Sequence, residues 1–310
     1  MRILLFFLIV LSFLVLWDGG AIVQAQASSP NLSLRFYGHG VNDIDRVKIR
    51  IDPHAPADVG GNFTLEFWMK ARLADNSSGP CVPGGDNWIN GNIIVDRDVY
   101  GGGDYGDFGI SIANGRIAFG VARGSNSQTI CGSTNVANGK WNHIAVTRNA
   151  TTGRMRIFVN GRLDGSGFGP TGNISYRNER STSYPNSDPF LVLGAEKHDA
   201  GPEYPSYNGY LDELRISKVI RYTKNFTRPS RPFQPDSNTV ALYHFDEGPV
   251  GPCRGTILDA SPSGLSDGSC SYGGSEPAGP VYTTVSPFAS VTWQPAIGDW
   301  LQVSQGAVLP

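Results

Sequence analysis

Apolar and polar residues alternate along most of this chain, and no segment keeps the apolar period of about 3.6 residues that a helix would need. Residues 63–70 show the alternation most clearly, since every second side chain there is large and apolar. Successive side chains of a β-strand point to opposite faces, so this pattern is typical of a strand with one face against a core. The pattern predicts an all-β chain.

Two Asn-Gly pairs indicate tight hairpins. Asn114-Gly115 and Asn160-Gly161 each separate two apolar strands, and a two-residue hairpin turn needs positive φ angles, which Asn and Gly adopt readily. Further strands are expected at residues 32–37, 47–51, 93–95, 191–194, 210–217 and 240–245. Roughly a dozen short strands imply two packed sheets. Between the strands lie long segments rich in Gly, Pro, Ser and Asn, at residues 74–91, 97–107, 165–189 and 196–208.

The N-terminus has the features of a secretion signal. Arg2 precedes an apolar run at residues 3–17, which is shorter than the roughly 20 residues of a membrane-spanning helix. Ala25-Gln26-Ala27 then gives the small-x-small pattern of a cleavage site. The chain is therefore predicted to be secreted, with no membrane span. The expected divisions are a signal peptide at 1–27, one domain at 28–288, and a tail or truncated linker at 289–310.

The charge of the chain argues against two classes of partner. The formal net charge is −2 and the isoelectric point is about 6.2. Proteins that bind nucleic acid rely on basic surfaces that neutralise phosphates. We therefore expect neither a nucleic acid nor an anionic membrane surface as the partner.

The cysteines predict two disulfides. Four cysteines without CxxC spacing, in a chain with a secretion signal, favour a disulfide framework over a zinc site. Cys253 and Cys270 flank one short loop, whereas Cys81 and Cys131 lie in the loops around the central strands, so we expect these two pairings. Sequons for N-glycosylation, which would make the chain a glycoprotein in a suitable host, begin at Asn31, Asn62, Asn76, Asn149, Asn173 and Asn225.

Seven segments in order resemble the laminin-G-like group of the concanavalin A-like lectin/glucanase superfamily. They are LRFYG at 34–38, FTLEFW at 63–68, WNHIAVTR at 141–148, IFVNG at 157–161, GYLDELRIS at 209–217, LYHFDEG at 242–248 and DASPSG at 259–264. The resemblance covers about residues 31–288. It implies a concanavalin A-like jelly-roll sandwich of two antiparallel sheets. It does not imply one activity, because this fold serves lectins, adhesion modules, spacers and some glucanases.

Asp212 is the first candidate metal ligand. Strict alternation would place it on the apolar face with Leu214 and Ile216, where a carboxylate needs hydrogen bonds, an arginine or a cation. Related domains often carry calcium, which prefers oxygen ligands, so a calcium site is one prediction and a purely structural role is the other. The expected sets are Asp212 with Asp43 or Asp45, or a site around Asp246 and Asp259. Further acidic residues in the glycine-rich loop are Asp96, Asp98, Asp104 and Asp107.

Aromatic residues in the long loops are the candidate glycan contacts. Loops carry variable function on a rigid scaffold, and an aromatic ring can stack on the apolar face of a sugar. The candidates are Trp88, Tyr100, Tyr105, Tyr204 and Tyr207, and packing within the loops is an equal alternative for them. Trp141 and His143, which share a strand face, are interpreted as part of the family scaffold, with a sugar-stacking role as the alternative.

No catalytic pattern is present in the sequence. The E-x-D-x-x-E motif of laminarinase-type members of this superfamily is missing. The adjacent acids of Asp212-Glu213 and of Asp246-Glu247 would point to opposite faces of a strand, so neither pair would flank one glycosidic bond. The sequence predicts a secreted, non-catalytic module that binds an extracellular glycan or glycoprotein, with calcium as a possible cofactor. The alternatives are a protein-adhesion or assembly module and a glycoside hydrolase with an unrecognised site.

Overall fold

The computed structural model describes residues 31–99, 106–176 and 182–288, which form two antiparallel sheets packed face to face. The signal peptide predicted at 1–27 and the tail predicted at 289–310 lie outside these residues, as do Tyr100, Asp104 and Tyr105. Within the described part of the chain, no helix has the length and apolar character needed to cross a membrane.

The described residues contain seventeen strands and two short 3-10 helices. The strands are β1 (Ser33–Tyr37), β2 (Arg46–Arg50), β3 (Phe63–Arg72), β4 (Asn92–Arg97), β5 (Gly106–Ala113), β6 (Arg116–Arg123), β7 (Asn126–Cys131), β8 (Asn138–Arg148), β9 (Arg154–Val159), β10 (Arg162–Phe168), β11 (Phe190–Leu193), β12 (Asn208–Ser217), β13 (Thr239–Tyr243), β14 (Gly251–Pro252), β15 (Gly255–Ile257), β16 (Gly268–Ser271) and β17 (Val281–Thr283). The 3-10 helices are Leu73–Asp75 and Asn87–Asn90.

The strand order is largely non-sequential, as in a jelly roll. Among the described residues, nine strands form a sheet in the order β10-β9-β8-β3-β12-β1-β17-β14, with β13 also paired to β12. Eight strands form the second sheet in the order β15-β16-β2-β11-β4-β5-β6-β7. The predicted hairpins join β5 to β6 and β9 to β10, and their Asn114 and Asn160 have φ angles of 46° and 49°. The predicted all-β sandwich is confirmed.

The core lies between the sheets and follows from the alternation. Leu65, Phe67 and Met69 of β3 pack in it with Leu34 and Phe36 of β1, all at 0% exposure. Burying a side chain of this size contributes about 1.5–3 kcal/mol. The alternate residues of the same strands therefore point to the outer face of the nine-stranded sheet.

A bulge in β12 breaks the alternation that the sequence suggested. Glu213 has a φ of 51°, and the pairing with β3 shifts register between Asp212 and Arg215. Leu214 and Ile216 consequently point into the core, whereas Asp212 points to the outer face. The expectation that Asp212 shares a face with Leu214 and Ile216 is wrong, because one extra residue in a strand reverses the facing of all that follow.

Both predicted disulfides are present. Cys81 is bonded to Cys131 and Cys253 to Cys270. The first ties the 74–91 loop to the end of β7, and the second joins β16 to the segment that precedes β15. Among the sequons, Asn76 is fully buried and its amide donates to the Arg72 and Asn208 carbonyls, so the folded chain does not offer it for glycosylation.

Candidate ligand-binding groove

Four side chains form a row across the outer face of the nine-stranded sheet. Trp141 of β8 lies opposite Lys70 of β3 in the strand pairing. Lys70 in turn lies opposite Tyr210 of β12, and Tyr210 lies opposite Arg35 of β1. Registered partners point to the same face of a sheet. All four are half-buried, so the row presents aromatic and cationic groups to solvent. We refer to Trp141, Lys70, Tyr210 and Arg35 as the aromatic row.

The row is held rigidly by ring contacts. The guanidinium carbon of Arg35 lies 4.3 Å from the ring centroid of Tyr37 and 5.0 Å from that of Tyr210. Its Nη2 donates to Asn208 Oδ1 at 2.7 Å. The rings of Trp141 and Tyr210 are 6.1 Å apart, and Lys70 Nζ lies 5.5 Å from the Tyr210 ring. Cation–π contacts of this kind fix both the ring and the charge in place.

A groove runs from the aromatic row around the rim of the sandwich. Its first cleft, of about 220 Å³, is lined by Arg35, Lys70, Ala71, Arg72, Asp75, Gly139, Asn208, Gly209 and Tyr210. A second cleft of about 340 Å³ shares Asp75 and Asn208 with the first. A third, of about 470 Å³, shares Val41 with the second and reaches His198 and Asp199. We refer to these three neighbouring clefts as the rim groove.

The far end of the rim groove contains a cluster of acids around one histidine. Asp98, Glu196 and His198 offer ligand atoms within 4.8 Å of one another, so these three could hold a metal ion. His198 Nδ1 lies 3.1 Å from Glu196 Oε1 and 3.6 Å from Asp98 Oδ2. Its Nε2 lies 2.7 Å from Asp188 Oδ1. Asp98 was among the acids noted in the sequence, but Glu196 and His198 were not.

The electrostatics of this cluster favour a proton on His198. Burial lowers its pKa, but the hydrogen bonds to Asp188 and Glu196 outweigh burial and raise the pKa to about 9. Burial, with the charge of Asp98 added, raises the pKa of Asp107 to about 8. A protonated imidazole cannot ligate a metal, and calcium prefers six to eight oxygen ligands. The three side chains offer two carboxylates and one imidazole, which is hydrogen-bonded to Glu196 and Asp188, so they supply few of the oxygen ligands that calcium prefers.

The acids predicted as calcium ligands are engaged elsewhere. Asp43 pairs with Arg46 and Lys48, and Asp45 accepts from the backbone N–H groups of Tyr37 and His39. Among the described residues, none of Asp43, Asp45, Asp212, Asp246 and Asp259 belongs to a set of three metal-ligating side chains.

The remaining three predicted ligands are held by the backbone or by burial. Asp246 accepts from Leu32 N–H at 2.6 Å, and Asp259 accepts from Leu242 N–H at 3.0 Å. Burial, with the charges of Glu213 and Asp246 added, raises the pKa of Asp212 well above its ordinary value. These contacts agree with the structural role that was the alternative to a calcium site.

Two of the loop aromatics are core residues and not glycan contacts. Trp88 is 1% exposed, because its ring lies on the cross-strand pair Gly109 and Gly120, where a Cβ would come within 2.0 and 1.8 Å of it. Tyr207 is 0% exposed and donates its hydroxyl to the Tyr210 carbonyl at 2.9 Å. The prediction of glycan contacts is wrong for these two residues, and the alternative of packing holds for both. Tyr204 is half-buried against the Trp88 cluster.

The other half of the outer sheet face is covered. Glu66, Trp68 and His143 are buried there beneath the segment that follows β12 and beneath Phe288. His143 Nε2 lies 3.1 Å from Glu66 Oε2, and Arg215 Nη2 donates to Glu66 Oε1 at 2.7 Å. The surroundings of His143 agree with the structural interpretation, whereas Trp141 lies half-buried on the open half of the face.

Because of the bulge, Asp212 and Glu213 do not simply point to opposite faces of β12, as alternation predicted. Alternation fails there, and the charge of Glu213 raises the pKa of Asp212, so the two carboxyl groups are electrostatically coupled. Both residues are 0% exposed. Glu213 Oε1 accepts from His244 Nδ1 at 2.6 Å, and its Oε2 accepts from Phe233 N–H. The pair is closed to a polysaccharide by burial, not by facing opposite sides of the strand.

Comparison with known proteins assigns the chain to a family. A laminin-G profile of the concanavalin A-like lectin/glucanases superfamily matches residues 46–222. The chain belongs to this superfamily. No curated protein matches it in sequence. Membership in the superfamily agrees with the sandwich fold and leaves the ligand open.

This chain is similar to several solved structures. One is a protein from Bacteroides ovatus ATCC 8483 whose assignment as carbohydrate binding is provisional, at 19% identity and a TM-score of 0.52, covering 84% of this chain and 62% of that one. The chain thus spans less than two thirds of that protein. Others are the heptameric SAP-like pentraxin of Limulus polyphemus (15% identity, TM-score 0.41, covering 63% and 79%) and domains LG4-5 of mouse laminin α1 (11% identity, TM-score 0.40, covering 79% and 56%).

Proposed function

We propose that the chain is a secreted, non-catalytic carbohydrate-binding module that holds a glycan in the first cleft of the rim groove, against the aromatic row. The observation that carries this proposal is the placement of two half-buried rings, Trp141 and Tyr210, in register beside a polar cleft. A sugar has an apolar ring face and a rim of hydroxyl groups. The rings suit the apolar face, and Asn208 and Asp75 supply hydrogen-bonding partners for the hydroxyls.

Preorganisation supports binding over incidental exposure. Tyr210 is fixed by Arg35 on one side and by Trp141 on the other. A ligand that binds such a platform does not have to order it first, which lowers the entropic cost of association. The provisional assignment of the Bacteroides ovatus relative is in keeping with a glycan as the ligand.

Secretion is supported by the disulfides. Two disulfides in a chain with no unpaired cysteine are typical of proteins that mature in an oxidising compartment. The signal-like N-terminal sequence agrees with this proposal, and so does the use of a glycan as ligand.

The small number of carboxyl groups near the aromatic row supports binding without turnover. A glycosidase needs two carboxyl groups roughly 5–10 Å apart on either side of the scissile bond. Asp75 is the one carboxylate among the described residues that line the first cleft. Asp212 and Glu213 lie buried on the covered half of the sheet.

Calcium is not part of the proposed binding mechanism, because His198 takes the place of a cation among Asp98, Asp188 and Glu196. A ligand that binds only the folded state raises stability by RT ln(1 + [L]/Kd). We expect the same melting temperature in millimolar calcium and in chelator. A rise in calcium that is abolished in Glu196→Gln would instead place a divalent cation in this cluster.

The proposal is tested on purified protein with panels of immobilised polysaccharides, scoring both retention and released reducing sugar. We expect retention without release, and retention reduced in Tyr210→Ala and in Trp141→Ala. Phe168→Ala is the matched control, since Phe168 is 62% exposed on β10, at the edge of the same sheet. Release of sugar, or full retention by both groove variants, would overturn the proposal.

A further inference from the structure

The aromatic row carries two cations with no acidic partner. Among the residues the structure describes, neither Arg35 nor Lys70 lies within ion-pair distance of a carboxylate. Arg72 also lines the first cleft, and it too has no such partner there. Against these three cations stands the single carboxylate of Asp75. The cleft is therefore positive although the chain as a whole is weakly acidic.

The positions of these cations are as specific as their charge. Arg35 and Lys70 flank Tyr210 on the neighbouring strands β1 and β3. The guanidinium carbon of Arg35 lies 5.0 Å and Lys70 Nζ 5.5 Å from the ring centroid of Tyr210, so both charges stand beside the same ring. A pyranose stacked on that ring would bring its own substituents, or those of the next sugar, to one or both cations.

Arg35 differs from a mobile surface arginine. Its guanidinium is held between the rings of Tyr37 and Tyr210 and bonded to Asn208 Oδ1 at 2.7 Å. Its Nη1 donates to the Phe36 and Gly209 carbonyls. Among the described contacts, Nε and the second Nη2 hydrogen are left, and this side of a guanidinium can recognise a carboxylate or a sulfate through paired hydrogen bonds. Since Arg35 is already fixed, little side-chain entropy is lost when it binds such a group.

We infer that the first cleft of the rim groove selects an acidic polysaccharide, one whose sugars carry carboxylate or sulfate groups, with Tyr210 and Trp141 stacking on the sugar ring and Arg35 and Lys70 binding its acidic groups. This inference rests on the proposed carbohydrate binding and adds the class of glycan to it. An acidic polymer gains from both the rings and the charges, whereas a neutral one gains from the rings alone.

The experiment compares three polymers by affinity electrophoresis on the full mature chain. They are polygalacturonate, the same polymer after reduction of its carboxyl groups, and a sulfated galactan. We expect polygalacturonate or the sulfated galactan to bind at least about tenfold more tightly than the reduced polymer, a difference of about 1.4 kcal/mol. The binding of the acidic polymer should weaken as salt is raised.

Variants separate recognition from general charge attraction. Arg35→Gln and Lys70→Gln should each lower the affinity for the acidic polymer about five- to tenfold and leave the reduced polymer unaffected. Arg35→Lys should retain part of the preference. Arg162→Gln, which removes an exposed arginine from the distant strand β10, should change nothing. Thermal unfolding of each variant verifies that it is folded.

The outcomes distinguish the two proposals. If the reduced polymer binds as well as the acidic ones, and Tyr210→Ala weakens the binding of both, carbohydrate binding stands and selection for acidic glycans is wrong. Equal loss of acidic binding in Arg162→Gln and Arg35→Gln would also overturn the selection, because the attraction would then be diffuse. If neither acidic nor reduced polymer is bound, carbohydrate binding by this groove fails as well.

Discussion

The regions around Trp88 and Trp141 differ in whether another segment of the chain covers the tryptophan ring. Trp88 stands in a long polar loop, the usual place for a ligand contact, yet its ring is buried against two glycines. Trp141 stands in a strand that resembles the family scaffold, yet it is half-buried on an open sheet face beside Tyr210. The difference shows that exposure depends on whether another segment covers a face, and not on whether a residue belongs to a loop or a strand.

The most severe test of this contrast is removal of the buried ring. Trp88→Ala should lower the free energy of unfolding by about 3–5 kcal/mol, since it leaves a large cavity between the loop and β5 and β6. Trp141→Ala, which removes the same side chain from the open region, should cost much less. Urea denaturation of both variants measures the difference. Equal losses would mean that the two tryptophans are equally part of the core.

A second test concerns His198, a side chain that the fold buries among acids. The pKa of His198 is raised to about 9 by Asp188 and Glu196. The folded chain keeps this proton where the unfolded chain, with an ordinary pKa of about 6.5, has lost it. The stabilisation is therefore complete below pH 6.5 and is lost as the pH rises through 9, at no more than about 1.4 kcal/mol per pH unit for this proton.

Urea denaturation between pH 6 and 9 measures this slope. His198→Gln should reduce it but leave a residual slope, because burial raises the pKa of Asp96 to about 7 and of Asp107 to about 8, and both bind protons on folding. A wild-type stability that is constant over this range would show that His198 does not hold its proton.

A third test adds a single methyl group beneath the ring of Trp88, at one of the two glycines on which it packs. A Cβ on Gly120 would lie 1.8 Å from the indole, so Gly120→Ala should cost about 1–3 kcal/mol through overpacking. Gly79→Ala is the matched control in the covering loop, because a Cβ there would meet nothing within 4 Å. Thermal unfolding compares the two. Equal stability of both variants would indicate that the indole does not rest on Gly120.

The smallest effect on stability is expected in the open region. Tyr210→Ala should change the free energy of unfolding by about 1 kcal/mol or less, since its ring contacts are on the surface, while glycan affinity falls about five- to tenfold. Affinity electrophoresis and urea denaturation on the same preparation measure both. A large loss of stability in Tyr210→Ala would make its effect on binding uninformative and would remove the contrast with Trp88.

Local pattern was enough to predict much of the fold. Alternation at residues 63–70 identified the core face of β3, Asn114-Gly115 and Asn160-Gly161 identified the hairpins, and loop position identified both disulfides. Each of these depends on neighbours in sequence. The bulge at Glu213 is harder to see, because Tyr210 continues the alternation of Leu214 and Ile216, although the buried Leu211 interrupts it. The predicted facing of Asp212 was therefore inverted.

The site depends on contacts between distant segments, which a single sequence does not show. The aromatic row joins residues of β8, β3, β12 and β1, whose order in the sheet is not their order in the chain. His198 meets Asp98 across a hundred residues of sequence. What the sequence did contain was the polar alternation of Arg35 and Tyr37 in the first strand, which marks an outer face but not its neighbours.

The most direct test of glycan binding at the open row is oxidative footprinting, read by mass spectrometry, with and without the polysaccharide that the chain retains. We expect the ligand to protect Trp141 and Tyr210 from labelling and to leave the labelling of Phe168 unchanged. Trp88 should be poorly labelled in both states because it is buried. Equal labelling of Trp141 and Tyr210 in the two states, with protection elsewhere on the surface, would contradict glycan binding at the open row.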